Sequence, residues 1–186
     1  MKKIIVILFV IFSYSCQSQK NSILDKECNV INTKDLKEFE SLTKNIDTTK
    51  LFNDVLQNFT NIKEGVLFYR LASGNKYGYF TIFNEEKSKI YCQKISKNLN
   101  KKINVNEKDS KKILNEIDLI KEPSTFYYEQ CISDSLDFIY LLIIKKDGKI
   151  ISKYLSHNYR EEIVDNNIDL KRIKNILKVS YEYSFK

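Results

Sequence analysis

The run Phe138-Ile139-Tyr140-Leu141-Leu142-Ile143-Ile144 is apolar at every position, and Lys145-Lys146-Asp147-Gly148 then leads into Lys149-Ile150-Ile151-Ser152-Lys153-Tyr154-Leu155. Asp-Gly supplies the positive φ angles that a tight hairpin turn demands. A strand without polar alternation has no face to give to water, so the first arm is predicted to be central and covered on both sides. This restricts the chain to a sheet that carries packing elements on its faces.

The preceding residues supply more sheet. Val66 to Leu71, Tyr77 to Phe83 and Ile90 to Ile95 are aromatic and β-branched runs separated by Ser73-Gly74-Asn75-Lys76 and Asn84-Glu85-Glu86-Lys87. That rhythm predicts an antiparallel meander. Thr125 to Ile132 is expected to add a strand beside this first arm, Phe138 to Ile144. Helical spacing predicts the covering elements. Leu36, Phe39 and Leu42 form one short helix capped by Thr33. Leu51, Phe52, Val55, Leu56 and Phe59 form a second, after a break at Asp47-Thr48-Thr49. A third is expected from Asp109 or Ser110 to Ile120, ended by Pro123, and a fourth from Asn167 or Asp169 through Leu177. Val179 to Phe185 is compatible with an edge strand or with continuation of that helix. The expected class is α+β: an antiparallel sheet, meander plus C-terminal hairpin, packed against a few helices.

The N-terminus has a different character. Met1-Lys2-Lys3 is cationic, Ile4 to Phe12 contains no polar residue, and Ser13-Tyr14-Ser15-Cys16 follows. The apolar run of about ten residues suits a signal-peptide core better than a membrane span, which needs about 20. The segment resembles a bacterial lipoprotein signal peptide, with Ser13 where the commonest lipobox has Leu. The resemblance covers residues 1–16 alone. It implies cleavage before Cys16, lipid on that thiol and firm attachment by two or more acyl chains. Gln17 in place of the Asp that tends to hold lipoproteins at the inner membrane implies the outer membrane. Ser13 and Ser15 also fit ordinary secretory cleavage. The expected organisation is a signal peptide over 1–15, a lipidated cysteine and polar tether over 16–32, and one α+β domain over 33–186.

Removing residues 1–15 leaves 171 of the 186 residues, enough for one domain. It also removes Lys2 and Lys3 and no acid, so the net charge falls from +7 to +5. The lysines are spread along the chain and interleaved with acids, without the stripe that nucleic acid requires. No nucleic-acid partner is expected. An exported domain permits disulfides. Of the three pairings open to Cys28, Cys92 and Cys131, Cys92 with Cys131 is favoured because both lie in strand-like runs; three reduced thiols are the alternative.

Catalytic signatures are scarce. There is no Gly-rich phosphate loop, G-x-S-x-G elbow, H-E-x-x-H or paired C-x-x-C. His157 is the one histidine, which excludes a multi-histidine zinc site. No metal and no cofactor are expected. Glu85-Glu86 and Glu161-Glu162 are carboxylate pairs, and Asp134, Asp137 and Glu129 lack EF-hand spacing. The tyrosines are more suggestive. If Tyr69, Tyr77, Tyr79 and Tyr91 shared the outward face of the meander, they would form a recognition patch for protein or glycan; the competing reading is strand packing. The expected function is a lipid-anchored, non-catalytic binding module of the cell envelope, held to the membrane through Cys16. Immunity or inhibitor proteins are one subtype. The alternative is a small envelope hydrolase using His157, with Cys131 or Ser156 as nominal partner, or an acidic pair.

Overall fold

Alternation of apolar residues decides which side of the sheet each helix covers. The computed structural model describes residues 29–33, 35, 37, 39–40, 46–86, 89–129, 138–157 and 167–186. It contains strands β1 (Asn29–Thr33), β2 (Gly65–Ala72), β3 (Tyr79–Glu86), β4 (Lys89–Ser96), β5 (Leu99–Asn104), β6 (Ser124–Glu129), β7 (Phe138–Lys146) and β8 (Lys149–His157). Helices α1 (Lys50–Thr60), α2 (Glu107–Leu119) and α3 (Ile168–Phe185) complete the described elements. One eight-stranded sheet runs in the order β1-β6-β8-β7-β2-β3-β4-β5. All neighbours are antiparallel except β6 and β8. The fold is α+β.

β7 sits near the middle of the sheet, as its continuous apolarity predicts. Tyr140, Leu142 and Ile144 point into one core with Val66, Phe68, Phe83 and Cys92, closed by Ile113 and Ile117 of α2 and Ile173, Ile176 and Leu177 of α3. Leu141 and Ile143 point the other way, into a core with Leu67, Tyr69 and Phe80, closed by Phe52, Val55 and Phe59 of α1 and by Phe39. Burying such side chains contributes roughly 1.5–3 kcal/mol each, so a strand filled on both faces anchors both layers. Asp147 (φ 51°) and Gly148 (φ 76°) make the predicted hairpin turn. Gly148 N–H donates to Lys63 O (2.8 Å), fixing the turn against the loop before β2.

The helices begin where side-chain acceptors meet otherwise unpaired N–H groups. Thr49 accepts from Phe52 N–H, and Asn167 accepts from Asp169 and Leu170 N–H. For α2 the cap is Asn106, accepting from Asp109 N–H (2.8 Å), rather than Asp109 or Ser110. α3 continues to Phe185, so Val179 to Phe185 is helix and not an edge strand.

Three expectations are corrected, and one strand is new. β1 lies within the segment expected to be tether over 16–32, because Asn29–Thr33 finds a partner in β6. β6 pairs with β8 and β1, not with β7. β5 went unpredicted, since Leu-Asn-Lys-Lys-Ile-Asn is an exposed edge strand with few apolar residues. Glu85 and Glu86 belong to β3 rather than to a turn. Among the described residues around the expected first helix, Lys37, Phe39 and Glu40 are helical.

Candidate functional site

Cross-strand partners share a face of a sheet, and register assembles one row from four separate strands. Ser156 of β8 lies opposite Tyr140 of β7, Tyr140 opposite Arg70 of β2, and Arg70 opposite Tyr79 of β3. The row stands on the face covered by α2 and α3. The last turn of α3 brings Tyr181 and Phe185, one helical turn apart, over it. Tyr140 stacks on Phe138 (5.9 Å) and Phe68 (6.0 Å) and meets the Tyr181 ring edge-on at 6.0 Å. Tyr181 contacts Phe185 at 5.0 Å. The guanidinium of Arg70 lies 4.1 Å from the Phe185 ring centroid and 5.0 Å from that of Tyr79.

The edges of this cluster differ in solvation. Tyr140 is 4 % exposed, whereas Tyr79 is 46 % and Phe185 59 % exposed. Among the described residues these are large aromatics left open on a surface that also carries a cation. Arg70 Nε is buried and has no hydrogen-bond partner, and Ser156 Oγ in the same row is likewise buried and unpartnered. Cation–π contact contributes about 0.5–2 kcal/mol, but a ring face supplies no lone pair for an N–H edge. The row therefore combines accessible aromatic area with an unsatisfied, charged donor.

The expected tyrosine patch does not form as one surface. Tyr69 is fully buried on the α1 side, with its ring against Phe52 and Phe80 and its hydroxyl donating to Asp47. Tyr79 faces the opposite side, because it pairs with Arg70 whereas Tyr69 pairs with Phe80. Tyr91 is partly buried on the Tyr69 side, opposite Asn84 and Asn104, under Lys102 (4.1 Å to its centroid). Tyr77 lies in the turn before β3, between Lys76 and Lys97. Of the four, only Tyr79 joins the Arg70 row.

Cys92 is a buried thiol with no disulfide partner among the described residues, and Cys131, its favoured partner, lies outside them. Cys92 lies in β4, five strand positions from β6, which ends two residues before Cys131. Burial pushes the Cys92 thiol up to about 12.

Strand alternation separates Glu85 from Glu86. Glu86 accepts from Lys102 at 3.0 and 3.2 Å, while Glu85 lies beside Glu64. Partial burial, the hydrogen bond with Glu85 and the charges of Glu85, Asp147 and Asp118 push the Glu64 carboxyl up. Lys146 answers this acidic rim through Asp118 at 2.7 Å. His157 is the last residue of β8, opposite Ile139, and Glu129 is the last of β6. Cys16, Cys28, Cys131, Asp134, Asp137, Glu161 and Glu162 lie outside the described residues. Among the described residues no three His, Cys, Asp or Glu side chains gather as a metal-binding group, and no helix is long and apolar enough to cross a membrane.

Arg70, Tyr140 and Phe185 escaped sequence reasoning. Arg70 in an aromatic strand resembles any solvent-facing cation, and nothing local ties it to residues 115 positions away. Compared with protein-family models, curated proteins and solved structures, the chain matches none of them.

Proposed function

We propose that this chain is a lipid-anchored binding protein of the cell envelope, without chemistry of its own, that presents the Arg70 row to a partner. The carrying observation is the buried, unpartnered Arg70 Nε between the exposed rings of Tyr79 and Phe185. Arginine and large aromatics dominate binding energy at protein interfaces because they combine broad contact area with polar tips. The lipobox-like Ser13-Tyr14-Ser15-Cys16 supports attachment through Cys16. Thirteen residue steps separate Cys16 from Asn29, the start of β1. They allow the domain to stand at most about 45 Å from the lipid. Gln17 favours the outer membrane by analogy, and an immunity or inhibitor protein fits the same description.

The test is mass spectrometry of the N-terminus, with membrane fractionation of wild type and Cys16→Ala. Cleavage before Cys16, acyl mass on that residue and release of C16A from the membrane fraction are expected. An unprocessed, unacylated N-terminus would overturn the anchoring. Turnover of peptidoglycan, glycan or ester substrates that disappears in H157A, or when Glu85-Glu86 or Glu161-Glu162 is replaced by alanine, would establish the hydrolase instead.

A further inference from the structure

We infer that the Arg70 row docks a protein partner through a carboxylate, an Asp or Glu side chain accompanied by an apolar neighbour; this rests on the binding reading above. A desolvated donor with no acceptor costs about 1–3 kcal/mol, and more when it is charged. A fold that retains one on a rim of exposed aromatics leaves that cost to be recovered in a complex. The ring faces of Phe185 and Tyr79 offset part of the cation's charge but accept nothing from its N–H edge.

Two features select the acceptor. Guanidinium N–H groups match the two oxygens of a carboxylate, and such charge-assisted bonds are roughly twice as strong as neutral ones. The charge environment points the same way. Lys94, two positions from Cys92 in β4 and opposite Thr81, stands on this face, and Lys186 Nζ sits 3.7 Å from the Tyr183 ring centroid. Without residues 1–15 the chain still carries a net +5. An acidic partner is drawn towards this surface, whereas a basic one is repelled. The exposed faces of Tyr79 and Phe185 beside the cation supply the contact for the apolar neighbour, which a lone inorganic anion would leave unused.

The Arg70 Nε–H resonance of the lipidated mature protein, beginning at Cys16, in detergent micelles, assigned by its loss in Arg70→Lys, reads the contact directly. Three probes are titrated: the capped tripeptide Phe-Glu-Phe, its Phe-Gln-Phe counterpart, and glucuronate as a glycan acid. Saturable displacement by Phe-Glu-Phe in the millimolar range is expected, with Phe-Gln-Phe and glucuronate about tenfold weaker or more. R70K and R70Q are expected to lose Phe-Glu-Phe binding by a similar factor, measured by intrinsic tyrosine fluorescence. Equal binding of the Gln peptide would overturn the carboxylate, stronger binding of glucuronate would overturn the protein source, and no displacement by any probe would overturn the inference whole. Each leaves the fractionation result at Cys16 untouched, so failure here is distinguishable from failure of membrane anchoring.

Discussion

The Tyr69 ring fills the space that a side chain on Gly78 would require. Its hydroxyl donates to the Asp47 carboxylate, which also accepts from Thr49 N–H (2.7 Å) just ahead of α1. One tyrosine thus joins β2, the turn entering β3 and the cap of a helix. Its role is to align the α1 layer with the sheet, and that role explains why it is absent from the surface.

Gly78→Ala is expected to lose about 1–3 kcal/mol, the cost of overpacking a filled core. Gly74→Ala is the control: its Cβ meets nothing, but φ is +78°, and about 1–2 kcal/mol of left-handed strain is expected. Urea unfolding midpoints compare the two. A native-like far-UV spectrum with altered tyrosine near-UV signal should accompany G78A alone.

Tyr69→Phe keeps the ring and removes the bond to Asp47, an expected loss of about 1.5–3 kcal/mol at neutral pH. Burial first, then Asp47, pushes the Tyr69 hydroxyl well above its ordinary range. The native state therefore holds a proton that the unfolded chain releases near pH 10. This contribution is complete below about pH 10 and falls as pH rises further. Unfolding in urea above pH 10 is expected to show a shallower decline for Y69F than for wild type.

Cys92 follows the same sign at lower pH. Its thiol is pushed up to about 12 by burial, against about 8.5 in an unfolded chain. Stability linked to it is full below about pH 8.5 and declines towards pH 12. Cys92→Ser is expected to flatten that decline. Alkylation mapped by mass is expected to miss Cys92 at pH 8 in the folded protein and to reach it after urea unfolding, with no reductant needed.

Lys145 is buried, and its ammonium donates to Thr60 O (2.6 Å) and Phe59 O (3.4 Å) at the C-terminal end of α1. Phe59 O also accepts from Ile62 N–H (3.1 Å), and the ammonium sits at the helix end where a cation is favoured. Lys145→Met is expected to lose about 1–3 kcal/mol and to lower amide protection in the last turn of α1. Asp118→Asn, which breaks the exposed Lys146 pair, should change stability by less than about 1 kcal/mol.

Glu64→Gln is expected to stabilise. The folded carboxyl lies above its unfolded value, so its contribution is present in acid and declines as pH rises through the carboxylate range. Glu64 is largely solvated, and screening limits the gain to a few tenths of a kcal/mol. Denaturant melts at pH 7 and pH 3 should show the gain at the first and not at the second.

Much of the architecture is legible in the order of residues alone. The unbroken apolarity of Phe138 to Ile144 marks a strand filled on both faces, and Asp147-Gly148 marks its turn. Asn167 and the Thr49 break announce helix starts, because a cap is a local bond between residues two or three apart. β1 and β5 are hidden because edge strands need few apolar residues. The partner of β6 is hidden because pairing is not written in either strand alone.

The site follows the same division. Residue types and spacing established the α+β layers, the acyl-thiol resemblance at Cys16 and the scarcity of catalytic signatures, since each depends on neighbours in the chain. Register decided that Tyr69 is buried and Tyr79 is exposed, although both belong to aromatic strand runs. Only the packed sheet and the end of α3 bring residues 70, 79, 140 and 185 together. Contacts between residues that far apart form because burial of the whole core, not any local preference, sets which faces meet.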